Sequence, residues 1–401
     1  MHIRTVLDRR SRSSFRVVIL SAIFIASCTA SSVERQRLFS IQIGRSEDQL
    51  NLVQNKEQPF RNEIDLAIRG GFVYVSDASA NKIMQFSSYG ELLMLLYDDR
   101  TNPKPVLLSG ATVEGVVSNR NAYRHHFEGI GGHIAVSGDG MIYIEDAAPE
   151  SLLAHDESLD ANLRFIVRQF SPGGKDLGHL GREGSGGTPF PLIQKLIATR
   201  DGSLVVISRT RSEWLAYSFD SAGKRLYEIR VDPSELPLSE EASVVSIGSL
   251  LPDRRSELLY LKADYYQDRT RDVEFVESRI IMLNPAGIVG NIRLPKVYLE
   301  QNPSSESEVE VLYEFLGAAA DGRLFSLASV ARNRYSLLVV DRTGAVTHRE
   351  IVELPDEETL MRKIFLSDDG LLAILSARPL EAQIDVWRYD EIVGGDSDET
   401  R

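Results

Sequence analysis

Phe86-Ser87-Ser88-Tyr89-Gly90 is the first of five stretches built alike; the others are Phe170–Gly174, Phe219–Gly223, Leu283–Gly287 and Val340–Gly344. Each joins an apolar residue to a glycine across three spacers, and each follows an apolar, strand-like run. Tight-turn pairs stand ahead of most of them, at Gly70-Gly71, Asp139-Gly140, Asp201-Gly202 and Asp321-Gly322, and again at Asp369-Gly370. Hairpin turns need positive φ, which glycine adopts without a steric penalty. The recurring order of strand, turn, strand, loop, strand, turn, strand describes one four-stranded antiparallel blade. Repetition of such a blade around an axis predicts an all-β fold, a six-bladed β-propeller.

The repeats are read in order along the chain. The first spans Glu63 to Leu96, and a long insert from Tyr97 to Gly129 follows. The second starts near His133 and carries an acidic loop from Glu145 to Asn162. The third is compact, from Leu196 to Ile229. The fourth, about Ser243 to Leu294, departs from the pattern because Asp253-Arg254-Arg255 replaces the aspartate–glycine turn. The fifth runs from Leu312 to Val352, and the sixth from Lys363 to Tyr389. The spacing of roughly 50–70 residues exceeds the ~40–45 of the most regular propellers. The excess falls in polar loops, where insertion is cheap. The sixth repeat has no fourth strand of its own. The alternating run Leu38–Gly44 fits the vacancy, so the ring is expected to close by that strand joining the last blade, leaving no free edge at the seam. The propeller is placed at 38–393, with a disordered tail at 394–401.

The formal net charge is −13. Residues 1–27 carry five arginines and one aspartate, a charge of +4, which leaves −17 on the remainder. Such a surface repels phosphate backbones and argues against nucleic-acid partners. Arginines precede the short apolar run Val17–Ile25, and Cys28, the single cysteine, comes three residues later. The run is far below the ~20 residues that span a bilayer as a helix. The pattern is that of a signal peptide over 1–27. Ile25-Ala26-Ser27-Cys28 resembles the lipobox of bacterial lipoproteins. The resemblance implies cleavage before Cys28, acylation of its thiol and new amino group, and a lipidated tether over 28–37. It implies a bacterial cell-envelope location. Thr29 stands where an inner-membrane retention signal has aspartate, which favours the outer membrane.

The first repeat resembles the NHL type of propeller repeat, through Asp65-Leu66, Tyr74-Val75-Ser76-Asp77, Asn81-Lys82-Ile83-Met84-Gln85-Phe86 and Gly90. Leu180-Gly181-Arg182-Glu183-Gly184 with Phe190-Pro191 looks like the inter-blade segment of such repeats. The later repeats keep the spacing and lose the signature. The resemblance implies an NHL- or TolB-like six-bladed propeller, a fold that hosts binding proteins and enzymes alike.

Chemistry-bearing patterns are scarce. The seven histidines are scattered apart from His125-His126, and neither a His-Glu-x-x-His motif, a Gly-x-Ser-x-Gly elbow nor a P-loop is present. The acidic loop lacks the spacing and glycine of a calcium loop, so calcium is conceivable there but unsupported. No catalytic or metal-binding residue and no cofactor is assigned beyond the lipid on Cys28. If the first strands line the channel, the loops between second and third strands share one face and offer a partner site. The candidate residues are Asp77, Asn81, Tyr265, Tyr266, Arg269, Arg332 and Arg334, tyrosine and arginine being frequent interface anchors. The leading expectation is a monomeric, membrane-anchored, non-catalytic binding or scaffold module for an envelope protein, peptide or glycan. The alternative is an extracytoplasmic metal-dependent hydrolase or lyase, lactonase-like, with its site at the channel mouth.

Overall fold

The computed structural model describes residues 33–52, 63–106, 108, 121–269, 272–300, 308–354 and 358–392. Six antiparallel sheets follow one another as blades. Blade 1 comprises Ile64–Arg69, Phe72–Asp77, Lys82–Phe86 and Leu92–Tyr97. Blade 2 comprises Ile130–Val136, Ile142–Ala147, Phe165–Phe170 and Asp176–Gly181. Blade 3 is built from Leu192–Ala198, Leu204–Arg209, Trp214–Phe219 and Arg225–Val231. Blade 4 has Val244–Pro252, Leu259–Arg269, Asp272–Asn284 and Gly287–Arg293. Blade 5 has Glu314–Ala318, Leu324–Ala331, Arg334–Val340 and Val346–Glu353. Blade 6 takes Met361–Leu366, Leu371–Ala377 and Glu381–Arg388 from the end of the chain and Gln36–Gln42 from its start. The first strands are innermost: those of blades 1 and 2, 2 and 3, 4 and 5, 5 and 6, and 6 and 1 touch one another, while the first strand of blade 4 meets the second strand of blade 3.

Hydrophobic burial explains why the blades stack. Each of six apolar clusters lies between two neighbouring blades. A middle strand is therefore buried on both faces and reads as a continuous apolar run: Leu204 to Ile207 and Leu337 to Val340 are all buried. Outer strands face solvent on one side and alternate, as in Arg225–Val231.

The five apolar-to-glycine phrases are the turns between third and fourth strands. The residue after the apolar one is Ser87, Ser171, Asp220, Asn284 or Asp341. Its side-chain oxygen accepts from backbone N–H groups further round the turn, as Asp220 does from Ala222 and Lys224 and Asp341 from Thr343 and Ala345. The glycine does more than turn the chain. At Gly90 (φ +83) an added Cβ would lie 2.9 Å from Phe39, and at Gly223 (φ +78) it would lie 2.8 Å from Leu180. In both cases the turn is seated on the outer strand of the preceding blade, so the position demands both left-handed backbone and no side chain.

The seam is closed as the alternation of Leu38–Gly44 predicts. Gln36–Gln42 runs antiparallel to Glu381–Arg388, with Phe39 opposite Ile384 and Ile41 opposite Ala382. Phe39 and Ile41 turn inward, and Phe39 packs against Phe86 of blade 1 at 5.5 Å. Arg35 donates to the buried Asp385 at 2.7 Å, fixing the start of the strand. Two inserts hold more structure than their loop reading implies. Asn121–Arg124 adds to blade 1 as a fifth strand, parallel to Leu92–Tyr97. The acidic segment contains a single 3-10 turn, Glu150–Leu152, and a short hairpin of Ala154–Asp156 with Ala161–Leu163. Residues 1–27, read from sequence as a signal peptide, Cys28 and residues 394–401 lie outside the described residues.

Because Ile41 is 2% exposed within the seam cluster, Ile41→Ala should lower the unfolding free energy by about 2–5 kcal/mol in a urea titration. A loss below about 0.5 kcal/mol would show that the seam is not part of the cooperative core.

Candidate functional site

The inner strands enclose a channel with two different ends. Toward the face that carries the loops between second and third strands, it widens into a cavity of about 700 Å³. Toward the opposite face it narrows to a space of about 50 Å³ with mostly apolar walls, including Leu66, Val136, Leu196 and Leu366. Lys195, Leu251, Leu316 and Ile364 border both, so these are successive reaches of one passage.

A charged tie crosses the narrow end. Asp368 of blade 6 accepts from Arg69 of blade 1 at 2.7 Å and from Arg254 of blade 4 at 2.5 Å. Arg254 also donates to the Leu366 carbonyl at 2.6 Å. Burial raises the Asp368 carboxyl, but Arg254 and Arg69 outweigh it and hold the group below its ordinary value. The departure of the fourth repeat from the aspartate–glycine turn thus has a physical reason: that turn supplies Arg254. Its neighbour Asp253 is occupied by the Tyr260 hydroxyl at 2.8 Å and by Arg342 at 2.6 Å.

The wide end is ringed by ionisable side chains from inner strands: Asp65, His133, Lys195, Glu314 and Lys363 of blades 1, 2, 3, 5 and 6. Strand irregularities help to aim them. Register slips between Ile130 and Ile134, between Ile193 and Lys195, between Ile247 and Ser249, and between Phe315 and Gly317. Such bulges turn a side chain off the regular alternation. Lys195 lies 3.5 Å and His133 lies 3.6 Å from the Asp65 carboxylate. Burial pushes Asp65 up, yet Lys195, His133 and Lys363 together hold its carboxyl well below the usual range. Glu314, surrounded by protein although water reaches it through the mouth, is shifted upward by that burial, with Lys195 and Lys363 opposing.

Glu145 stands behind the ring on the second strand of blade 2. Its carboxylate is 4.0 Å from His133, on the side away from Asp65. Burial pushes it up to about 7, against the pull of His133 and with help from Glu63 and Asp65. His133 is therefore held between two carboxylates, one firmly ionised and one near neutrality. Glu145 is buried and does not border the cavity.

The residues singled out from sequence occupy other places. Asp77 is fully buried and accepts from the Asn51 and Ala80 amides at 2.7 and 3.1 Å. Asn81 sits at φ 51 and caps the start of blade 2 by accepting from Ile130 at 3.0 Å. Lys82 donates to the Ser46 carbonyl at 2.9 Å. These residues thus tie blade 1 to the 46–51 segment and to the start of blade 2. Tyr265 is buried, and its hydroxyl donates to the Pro237 carbonyl at 3.2 Å. Tyr266 stacks edge-on with Phe275 at 5.7 Å, and Arg269 pairs with Glu274 at 2.6 Å. These three stiffen a hairpin whose strands run to 11 and 13 residues. Arg334 pairs with Glu300 at 2.5 Å, and Arg332 is exposed. None of the seven borders the cavity. His125 packs against Phe127 and Phe170, while His126 is exposed beside Glu128. Among the described residues no group of three or more histidine, cysteine, aspartate or glutamate side chains has the arrangement of a metal site.

The loops singled out from sequence lie on the same side of the ring as the wide mouth, but that reading passed over the wall of the channel. The available signal was a charged or polar residue inside the innermost strand of a repeat, where burial by neighbouring blades predicts only apolar ones.

Glu145 gives a pH signature. With its folded carboxyl near 7 against an ordinary 4.5, the unfolded chain releases its proton first, so stability falls as pH rises from about 4.5 to 7. Glu145→Gln removes that slope. Relative to the parent protein, the variant should gain about 1–3 kcal/mol between pH 5 and pH 7.5 in urea titrations. An unchanged difference would place the Glu145 carboxyl at its ordinary value.

The chain matches no protein-family model, and no curated protein is similar to it. Solved structures resemble it weakly. A member of the DUF4221 family from Bacteroides vulgatus aligns over 89% of this chain and 98% of its own, at 9% identity and a TM-score of 0.42. A glucose dehydrogenase aligns over 88% and 99%, at 13% identity and a TM-score of 0.39. The β-propeller domain of Nup133 from Vanderwaltozyma polyspora aligns over 86% and 96%, at 10% identity and a TM-score of 0.37. At these levels none of them assigns an activity to this chain.

Proposed function

We propose that this chain is a lipid-anchored binding module of the bacterial cell envelope, engaging a protein, peptide or glycan through the wide mouth of its channel. The observation that carries the reading is the cavity of about 700 Å³, which borders inner strands from all six blades. A pocket of this size suits a small ligand or the tip of a larger one. Entry is from the loop face. The exposed loops around the mouth would contribute contacts to a larger partner.

Anchoring rests on the sequence of the leader. Acylated Cys28 would hold the domain at the membrane by burying acyl methylenes, each contributing about 0.8 kcal/mol. Cys28→Ser should abolish lipid labelling and move the protein from the membrane to the soluble fraction. Unchanged labelling and fractionation would remove the anchor from the reading.

A hydrolase or lyase is the second reading, and one observation favours it: His133 held between Asp65 and Glu145, with Glu145 near neutrality. Binding is preferred because Glu145 is sealed behind the wall and reaches a bound molecule only through His133. The binding reading is tested at the mouth. Leu312 borders the cavity and is 42% exposed, so Leu312→Trp narrows the entrance without disturbing the core. In a crosslinked pull-down from the native envelope, Leu312→Trp should deplete a partner that the parent protein retains. Equal recovery would place the partner elsewhere, and turnover of an ester or glycan substrate sensitive to His133→Ala would favour the enzyme.

A further inference from the structure

The strand that closes the ring also fixes where the chain enters the domain. Gln36–Gln42 runs antiparallel to the third strand of blade 6, so it rises from the narrow side of the ring to the wide side. The 46–51 segment after it lies on the wide side, where it meets Asp77 and Lys82 of blade 1. The residues before it lie on the narrow side. Val33 packs against the cluster between blades 5 and 6 that contains Trp387 and Tyr389, and its amide donates to Glu350 of blade 5 at 3.2 Å.

That entry point limits how the domain can stand on a membrane. Cys28 is five residues upstream of Val33. A stretch of that length spans at most about 18 Å whatever its conformation. Gln36–Gln42 alone rises about 20 Å toward the wide side. The second strand of blade 4 has 11 residues against 6 in blades 1, 2 and 3, so about a further 16 Å of hairpin stands on the wide side. A wide side turned to the membrane would hold an acylated Cys28 out of reach of the bilayer.

The narrow side presents what a lipid surface accepts. Phe72, at the turn between the first two strands of blade 1, is 39% exposed, and Tyr89, at the turn between its last two, is 88% exposed. Exposed aromatic side chains settle at the level of the lipid headgroups. Arginines on this side are committed to neighbouring carboxylates: Arg200 to Asp369, Arg323 to Asp321 and Arg342 to Asp253, at 2.7, 2.7 and 2.6 Å. Such a surface has no need of anionic lipid.

We infer that the domain stands with its narrow side against the phospholipid headgroups, Phe72 and Tyr89 among them, and its wide mouth opening away from the bilayer. The inference rests on the proposed anchor at Cys28 and specifies where the partner comes from: the aqueous side, not the lipid of the anchoring membrane.

The test uses the full-length lipidated chain in phosphatidylcholine vesicles that carry a nitroxide on part of their headgroups. Cys28 is the single cysteine, and once acylated its thiol takes no label, so a bimane fluorophore can be placed at one introduced cysteine at a time. Tyr89→Cys and Ala345→Cys mark the narrow side of blades 1 and 5, and Leu380→Cys marks the wide side of blade 6; all three positions are exposed. The nitroxide should quench the first two labels and leave the third bright, with no change on adding salt. The inference is overturned if Leu380→Cys is quenched as strongly as Ala345→Cys, if Tyr89→Cys stays bright, or if salt abolishes the quenching. Flotation of the same vesicles reads the anchor separately. A parent chain that does not float with them refutes the anchor and the orientation together, whereas a chain that floats with its Leu380→Cys label quenched refutes the orientation alone.

Discussion

The structure depends on burying both faces of every blade. A four-stranded sheet of this composition is apolar on each side of its middle strands, and water can be excluded from both sides only by a neighbour on each. An open row of blades would leave two apolar faces exposed. A ring leaves none, and the six inter-blade clusters are the result. The outer turns follow from the same constraint. They must seat on the adjacent blade, which is why a glycine recurs where Gly90 meets Phe39 and Gly223 meets Leu180.

Packing the blades this closely leaves an axial space that side chains fill unequally. At one end the filling is apolar and the strand ends are joined by Asp368 with Arg69 and Arg254. An ion pair buried like this is poor evidence of stability, because desolvation offsets much of its attraction. Its geometric effect is plainer: it links blades 1, 4 and 6 across the passage. At the other end the strands bulge, and ionisable side chains occupy positions that packing would otherwise give to Leu or Val. Charged groups in such surroundings are costly, and here they border a water-accessible space instead of a sealed core.

Much of the ring was legible because its causes are local. The glycine phrases, the aspartate–glycine turns and the missing last strand each answer to hairpin geometry or to an unpaired edge, and Phe39 and Ile41 alternate as a strand of that kind must. The site was less legible because its causes are not local. Asp65 and Lys195 are 130 residues apart in sequence and meet only through the curvature of the ring. Asp77 and Asn81 belong to a loop in sequence, but their side chains turn inward to hold backbone amides. Tyr265 reads as an exposed aromatic until the long hairpin of blade 4 is seen to bury it. The odd turn at Asp253-Arg254-Arg255 was visible as a departure, but its purpose needed the position of Asp368.

The seam between Gln36–Gln42 and Glu381–Arg388 sets the order in which the protein can be made. The strand that completes blade 6 is synthesised first, and the edge it covers is synthesised last, more than 300 residues later. Early blades can form while the chain is still emerging, each waiting beside an uncovered neighbour. The circle itself is a post-synthetic event, a contact of very long sequence separation and therefore slow to form. Until it forms, the leading strand has no mate and blade 6 offers an open edge, so the interval before closure is the period in which this chain is most exposed to pairing with another copy of itself.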